Sequence, residues 1–173
     1  MVPAVAPSNE GRSTGSPRRA ARLAAVQALY QMELSSHGAD AVVREFLRHR
    51  FGDQVDDNLI ANADPAFFGQ IVRGVTDERD ELDDMVAAVL SADLGVDRLE
   101  TVLKVVLRAG AYELSSCLDV PVRVIISEYV DIADAYFGSR ETGLANAVLD
   151  RIARALRVEE LGDQSGGRAP AAR

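Results

Sequence analysis

"DVPVRVIISEYVDIADAYF", residues 119–137, admits two readings, and the choice between them decides the fold. Val122, Val124, Ile125 and Ile126 make a β-branched run of the kind strands favour. At a period of 3.6, however, Val122, Ile125, Ile126, Tyr129 and Ala133 share one stripe that continues to Tyr136 and Phe137. Pro121 stands where a first-turn proline belongs. A strand would end long before this stripe does. The stretch reads as helix, and with it goes the chain's one candidate strand.

The neighbouring segments agree. Upstream, "VDRLETVLKVVLRAGAYELSS" (96–116) is apolar nearly all round, which marks a central helix. Gly110 in its interior costs about 1 kcal/mol against Ala, so a close neighbour is expected there. Downstream, "GSRETG" (138–143) reads as a loop, followed by a helix with Leu144, Val148, Leu149, Ile152 and Leu156 on one face. Nearer the N-terminus, Ser16-Pro17 supplies an N-cap and first-turn proline for a helix with Leu23, Val26, Leu29, Tyr30 and Leu34 as its stripe. A short helix over Asp40 to Arg50 should bury Val43, Phe46 and Leu47. Asp64-Pro65 opens a third, burying Phe67, Phe68, Ile71, Val72 and Val75. A fourth begins at Thr76 or Asp77 and buries Leu82, Met85, Val86 and Val89. The expectation is an all-α protein of about seven helices in one domain, residues 17–158. Tails at 1–16 and 159–173 are small, polar and aperiodic, and read as disordered.

Composition narrows the function. The 173 residues contain no Trp and one cysteine, Cys117, so an intramolecular disulfide and a Cys metal cluster are excluded. That fits a reducing cytoplasm. No apolar run approaches the roughly 20 residues needed to span a bilayer, and the N-terminus lacks the apolar core of a signal peptide. His37 and His49 have no partner at i+4. Cys117 has no nearby His and reads as a packed side chain. "DERDELDD" (77–84) lacks the loop glycine and terminal Glu of a calcium loop and reads as a solvated helix face. No glycine-rich phosphate loop is present. No metal, cofactor or catalytic residue is expected, and the chain does not read as an enzyme.

One feature resists this bland reading. The net charge is −8, yet Gly11 to Met32 contains Arg12, Arg18, Arg19 and Arg22 and no Asp or Glu. From the residues alone, these arginines either pair with the protein's own surplus carboxylates or contact phosphate, for which the guanidinium fork is suited. Three or four neutralised phosphates would give a log–log salt slope of roughly −2 to −3.

"RRAARLAAVQALYQMELS" (18–35), "FFGQIVRGVTDERDELDDMV" (67–86), "VLKVVLRAGAYELSSCLDVPVRVIISEYVDIADAYFG" (102–138) and "LANAVLDRIARAL" (144–156), in this order, resemble the NusB family of bacterial transcription antitermination factors. The resemblance implies two packed three-helix bundles and a non-enzymatic role. It implies binding of the boxA element of ribosomal RNA leaders together with NusE, a small-subunit ribosomal protein, in an antitermination complex on RNA polymerase. It puts RNA contacts at Arg18, Arg19, Arg22 and Gln27, and at Arg140 and Glu141 before the last helix. NusE contacts fall to Tyr30, Lys104 and Arg108, and a structural role to Asn146. Where relatives often have a further Arg, this chain has Ala20, which thins the basic arm. Family members occur as monomers or homodimers. Two readings stand beside this one: the similar RNA-binding module of RNA cytosine methyltransferases, and a helical scaffold whose arginines are paired internally.

Overall fold

In the computed structural model, residues 15–51, 59–91 and 94–162 are described, and all their regular structure is helical. The helices are α1 (Pro17–Leu34), α2 (Ala39–His49), α3 (Pro65–Asp77), α4 (Arg79–Val89), α5 (Thr101–Ser116), α6 (Val122–Tyr136), α7 (Ser139–Leu156) and the short α8 (Val158–Gly162), with a 3-10 turn at Val96–Arg98. The expected tails lie outside the described residues except at their inner ends. Ser16 caps α1, and α8 carries described structure beyond residue 158.

Local chemistry sets the starts. The Ser16 hydroxyl accepts from Arg19 N at 3.3 Å and Pro17 occupies the first turn; Asp64 accepts from Phe67 N at 3.0 Å ahead of Pro65. The two starts are tied together, since Asp64 N donates to Pro17 O at 3.0 Å and Asn62 to Gly15 O at 3.3 Å. This places Phe67 of α3 directly beneath the first turns of α1.

Helices α1, α2 and α3 form one bundle, and α5, α6 and α7 the other; α4 braces α5 and α7. Helix α5 is the shared centre and touches α1, α3, α4, α6 and α7. Every residue from Val105 to Leu114 is buried, as its all-round apolar sequence requires. The close neighbour expected at Gly110 is α7: a Cβ there would lie 2.7 Å from Leu149 Cδ2. Gly74 of α3 serves α5 likewise, since a Cβ there would run into the Tyr112 ring.

Several inward assignments shift. Helix α1 buries Ala20, Ala21, Ala24, Ala25, Ala28, Val26 and Leu29, whereas Leu23 and Tyr30 are half-buried and Leu34 is 61% exposed. The small side chains allow close approach to α3 and α5, so the packed face is the alanine face. Leu47 and Leu156 are exposed, while Met85, Val89, Ile126 and Leu144 sit at the core margin. Helix α3 runs on to Asp77, so α4 begins at Arg79. The expected loop "GSRETG" is the start of α7: Gly138 is its N-cap and Ser139 to Gly143 are already helical. Thr142 bonds back to Gly138 O through both its amide and its hydroxyl, which closes that turn. Asn146, expected to be structural, is exposed on α7.

Candidate nucleic-acid interface

The arginines at the start of α1 divide into two kinds. Arg22 points inward. Its guanidinium meets Glu113 of α5 through two parallel hydrogen bonds, Nε to Oε2 at 2.8 Å and Nη2 to Oε1 at 2.9 Å. The two side chains are 3% and 0% exposed. Burial works to lower the Arg22 pKa, but the hydrogen bonds and charge of Glu113 outweigh it and hold the group above its ordinary value. The fully buried Tyr129 hydroxyl faces the same carboxylate, without a hydrogen bond of standard geometry. Burial and then the Glu113 charge push its ionisation well above the usual range. Arg22 is therefore committed to the core and cannot reach a phosphate in this arrangement.

Arg18 and Arg19 face outward. Arg19 Nη2 donates to Asp131 at 2.8 Å and its Nε lies 3.7 Å from Glu128; Arg18 Nη1 lies 3.5 Å from Asp119. The Arg18 and Arg19 side chains are 49% and 41% exposed. Such pairs contribute about 0–1 kcal/mol and exchange readily with other anions. Phe67 lies under both kinds: the Arg18 guanidinium is 4.7 Å and that of Arg22 5.1 Å from its ring centre. Arg18 thus rests on an aromatic surface that the buried pair keeps in place. Arg12 lies outside the described residues.

Gln27 is half-buried and its side chain lies beside Tyr136 of α6, without a hydrogen bond of standard geometry. With Arg19 against Asp131 and Gln27 against Tyr136, α1 and α6 run side by side in the same direction. Eight residues of α1 span about 12 Å. Helix α7 begins three residues after Tyr136, with exposed Arg140 and half-exposed Glu141 in its first turn. Of the candidate RNA residues, Arg18, Arg19 and Arg140 keep side chains open to solvent, whereas Arg22 does not.

The residues expected to meet a protein partner lie elsewhere. Arg108 is also locked: Nε and Nη2 bond Asp83 at 2.6 and 2.9 Å and Nη1 bonds Glu33 at 2.9 Å, with the side chain 5% exposed. Burial opposes its charge, but Asp83 and Glu33 more than restore it. Tyr30, one turn before Glu33, and Lys104, one turn before Arg108, remain partly exposed. A shallow recess beside them is lined by Leu29, Met32, Glu33, Val75, Arg79 and Arg108.

A third inward arginine escaped the sequence reading. Arg157 follows α7 and donates to four carbonyls at the end of α5 and just after it: Leu114 at 2.8 Å, Glu113 at 3.0 Å, Cys117 at 2.8 Å and Val120 at 2.7 Å. A cation at a helix C-terminus complements the helix dipole and supplies donors to its last carbonyls; Glu113 O and Cys117 O also accept from Cys117 N and Val120 N. Cys117 beside it is buried, and burial, then the charges of Glu113 and Asp119, push its thiol up to about 11. It is a packed side chain with almost no thiolate at neutral pH. Among the described residues no group of three His, Cys, Asp or Glu side chains could hold a metal ion, and no helix is long and apolar enough to cross a membrane.

Comparison with known proteins gives a consistent result. The NusB family model matches residues 19–154. The chain is 44% identical over 154 residues to the transcription antitermination protein NusB of Rhodopseudomonas palustris, covering 89% of this chain and 91% of the relative. To that of Brucella anthropi it is 48% identical over 161 residues, covering 90% and 96%. Among solved structures, NusB of T. maritima superposes with a TM-score of 0.70 at 28% identity, covering 85% of this chain and 98% of the other. A chain from the structure of the antitermination factors NusB and NusE in complex with dsRNA superposes with a TM-score of 0.64 at 25% identity, covering 80% and 97%.

Proposed function

The chain belongs to the NusB family, and from that premise we propose that it is a transcription antitermination factor that binds RNA and a NusE partner without catalysing a reaction. The observation that carries the RNA reading is the pair Arg18 and Arg19: half-exposed and held by weak exchangeable ion pairs, with Arg18 set over the Phe67 ring. Arg18, Arg19, Gln27 and Arg140 are the residues assigned to RNA, with Glu141 at the margin. Arg22 acts from behind, by fixing the ring on which Arg18 rests. With Arg22 withdrawn from the count, the two contacts of Arg18 and Arg19 account for about −1.4 of the log–log salt slope.

The RNA is the boxA element of ribosomal RNA leaders, and the complex works on RNA polymerase in the cytoplasm. NusE binds over Tyr30 and Lys104, beside the recess, with Arg108 holding α1, α4 and α5 in register through Glu33 and Asp83. A homodimer that covers the Arg18 face would silence RNA binding. The methyltransferase module is less favoured, because the relatives matched over nearly their whole length are named antitermination proteins. The scaffold reading accounts for Arg22 and Arg108, but not for two arginines left half in solvent.

The test is titration of labelled boxA RNA, with and without NusE, against wild type and Arg18→Ala/Arg19→Ala. The expected result is binding strengthened by NusE and weakened about ten-fold or more by the double substitution, since two charge-assisted contacts are lost. Affinity unchanged in the variant would overturn the site.

A further inference from the structure

We propose that Asp119, Glu128 and Asp131 form a counter-anion strip that occupies the RNA-binding arginines in the free protein and must be displaced for RNA to bind. The inference rests on the reading that Arg18 and Arg19 contact RNA phosphates, and adds what restrains them.

The strip lies where phosphate oxygens would sit. Asp131 Oδ2 takes the outer Nη2 of Arg19 at 2.8 Å, Glu128 Oε2 approaches its Nε at 3.7 Å, and Asp119 Oδ2 approaches Nη1 of Arg18 at 3.5 Å. The guanidinium edges offered to solvent are the edges a phosphate would use, and carboxylate and phosphate compete for the same fork. Three carboxylates surround two guanidiniums, so the cluster already holds more negative than positive charge before RNA arrives.

The three carboxylates differ in how they yield. Asp119 and Asp131 have side chains 71% and 47% exposed and can swing into water at little cost. Glu128 is 18% exposed, and its Oε2 is buried without a hydrogen-bond partner. A buried, unsatisfied acceptor is costly where stability is the only requirement. Here it keeps a negative charge beside Arg19 even after Asp131 has left. Nor do these pairs hold the fold, since ion pairs this exposed contribute little to stability. Their main effect falls on whatever anion would replace them.

The consequence is a tax on every phosphate contact. It weakens binding by a factor independent of base sequence, because phosphate contacts carry no sequence information. It also flattens the salt dependence. Displaced carboxylates take up cations while the RNA releases them, so the net release per phosphate is smaller than for an unpaired arginine.

The experiment uses the full chain carrying Asp119→Asn/Asp131→Asn, titrated with a labelled boxA oligonucleotide at several KCl concentrations. Arg18→Ala/Arg19→Ala and Asp84→Asn/Glu81→Gln run in parallel. The last pair makes the same change in net charge on exposed sites of α4, which contributes nothing to the strip. The expected result is about three- to ten-fold tighter binding for Asp119→Asn/Asp131→Asn, from removal of two exposed pairs. Its salt slope should be steeper than that of wild type, and the α4 pair should change little. Should the double variant not fold by circular dichroism, Asp131→Asn alone carries the test, with a gain of about two-fold or more. If the α4 pair gains as much, or Asp119→Asn/Asp131→Asn does not tighten binding, the strip is overturned while an affinity loss in Arg18→Ala/Arg19→Ala leaves the RNA site standing. If neither the arginine nor the aspartate variants change affinity, the RNA site itself is wrong and the strip falls with it.

Discussion

Arg19 and Arg22 lie three residues apart on α1, one turned to solvent and the other to the core, and do opposite work. Arg22 has Glu113 in a two-pronged, solvent-free pair; Arg19 has Asp131 and Glu128 in single contacts at the water's edge. The chemistry is the same, guanidinium with carboxylate; the geometry and the access of solvent differ. Out of water, an ion pair is hard to break, because each partner would be left as an uncompensated buried charge. In water the same pair is a loose resting place. One helix start can therefore serve as a core clamp on its inner side and an exchangeable anion site on its outer side.

The contrast is tested first where the effect is largest. Glu113→Gln keeps the shape of the buried pair but strands the Arg22 charge, and should cost about 3–5 kcal/mol in urea denaturation. That is a large share of a typical domain's stability of about 5–15 kcal/mol. A loss under about 1 kcal/mol would put Arg22 in the same class as Arg19. Arg157→Ala comes next. It removes the cation from four carbonyls around the end of α5, with an expected loss of about 3 kcal/mol by the same assay. Gly110→Ala should cost about 1–2 kcal/mol, the overpacking against Leu149 exceeding the gain in helix propensity. Smallest of all, Arg18→Ala/Arg19→Ala should change stability by no more than about 1 kcal/mol while lowering RNA affinity.

The helices were legible in the sequence because each carries its own periodic stripe, and Gly110 even announced a close neighbour. What escaped was decided across long separations. Arg22, Arg18 and Arg19 look alike in a basic window; what distinguishes Arg22 is Glu113, 91 residues away. A clue was present, since Arg22 precedes Val26 by four and Leu29 by seven and so extends a buried stripe. The large residues of α1 misled in the other direction. Leu23, Tyr30 and Leu34 suggested the packed face, but the alanines pack closer, and Leu34 is left in solvent. Arg157 reads as one more arginine near a tail, because its partners are main-chain carbonyls that only the folded path of α5 brings to it. "GSRETG" has two glycines and reads as a loop, yet its first glycine is a cap and the rest is helix.

The division of labour along α1 is tested most directly by the salt dependence of boxA affinity in Arg18→Ala/Arg19→Ala beside wild type, both confirmed folded. The account predicts weaker binding at every salt concentration and a log–log slope reduced by up to about 1.4, the share of two phosphate contacts. Equal affinity and equal slope in the two proteins would contradict it.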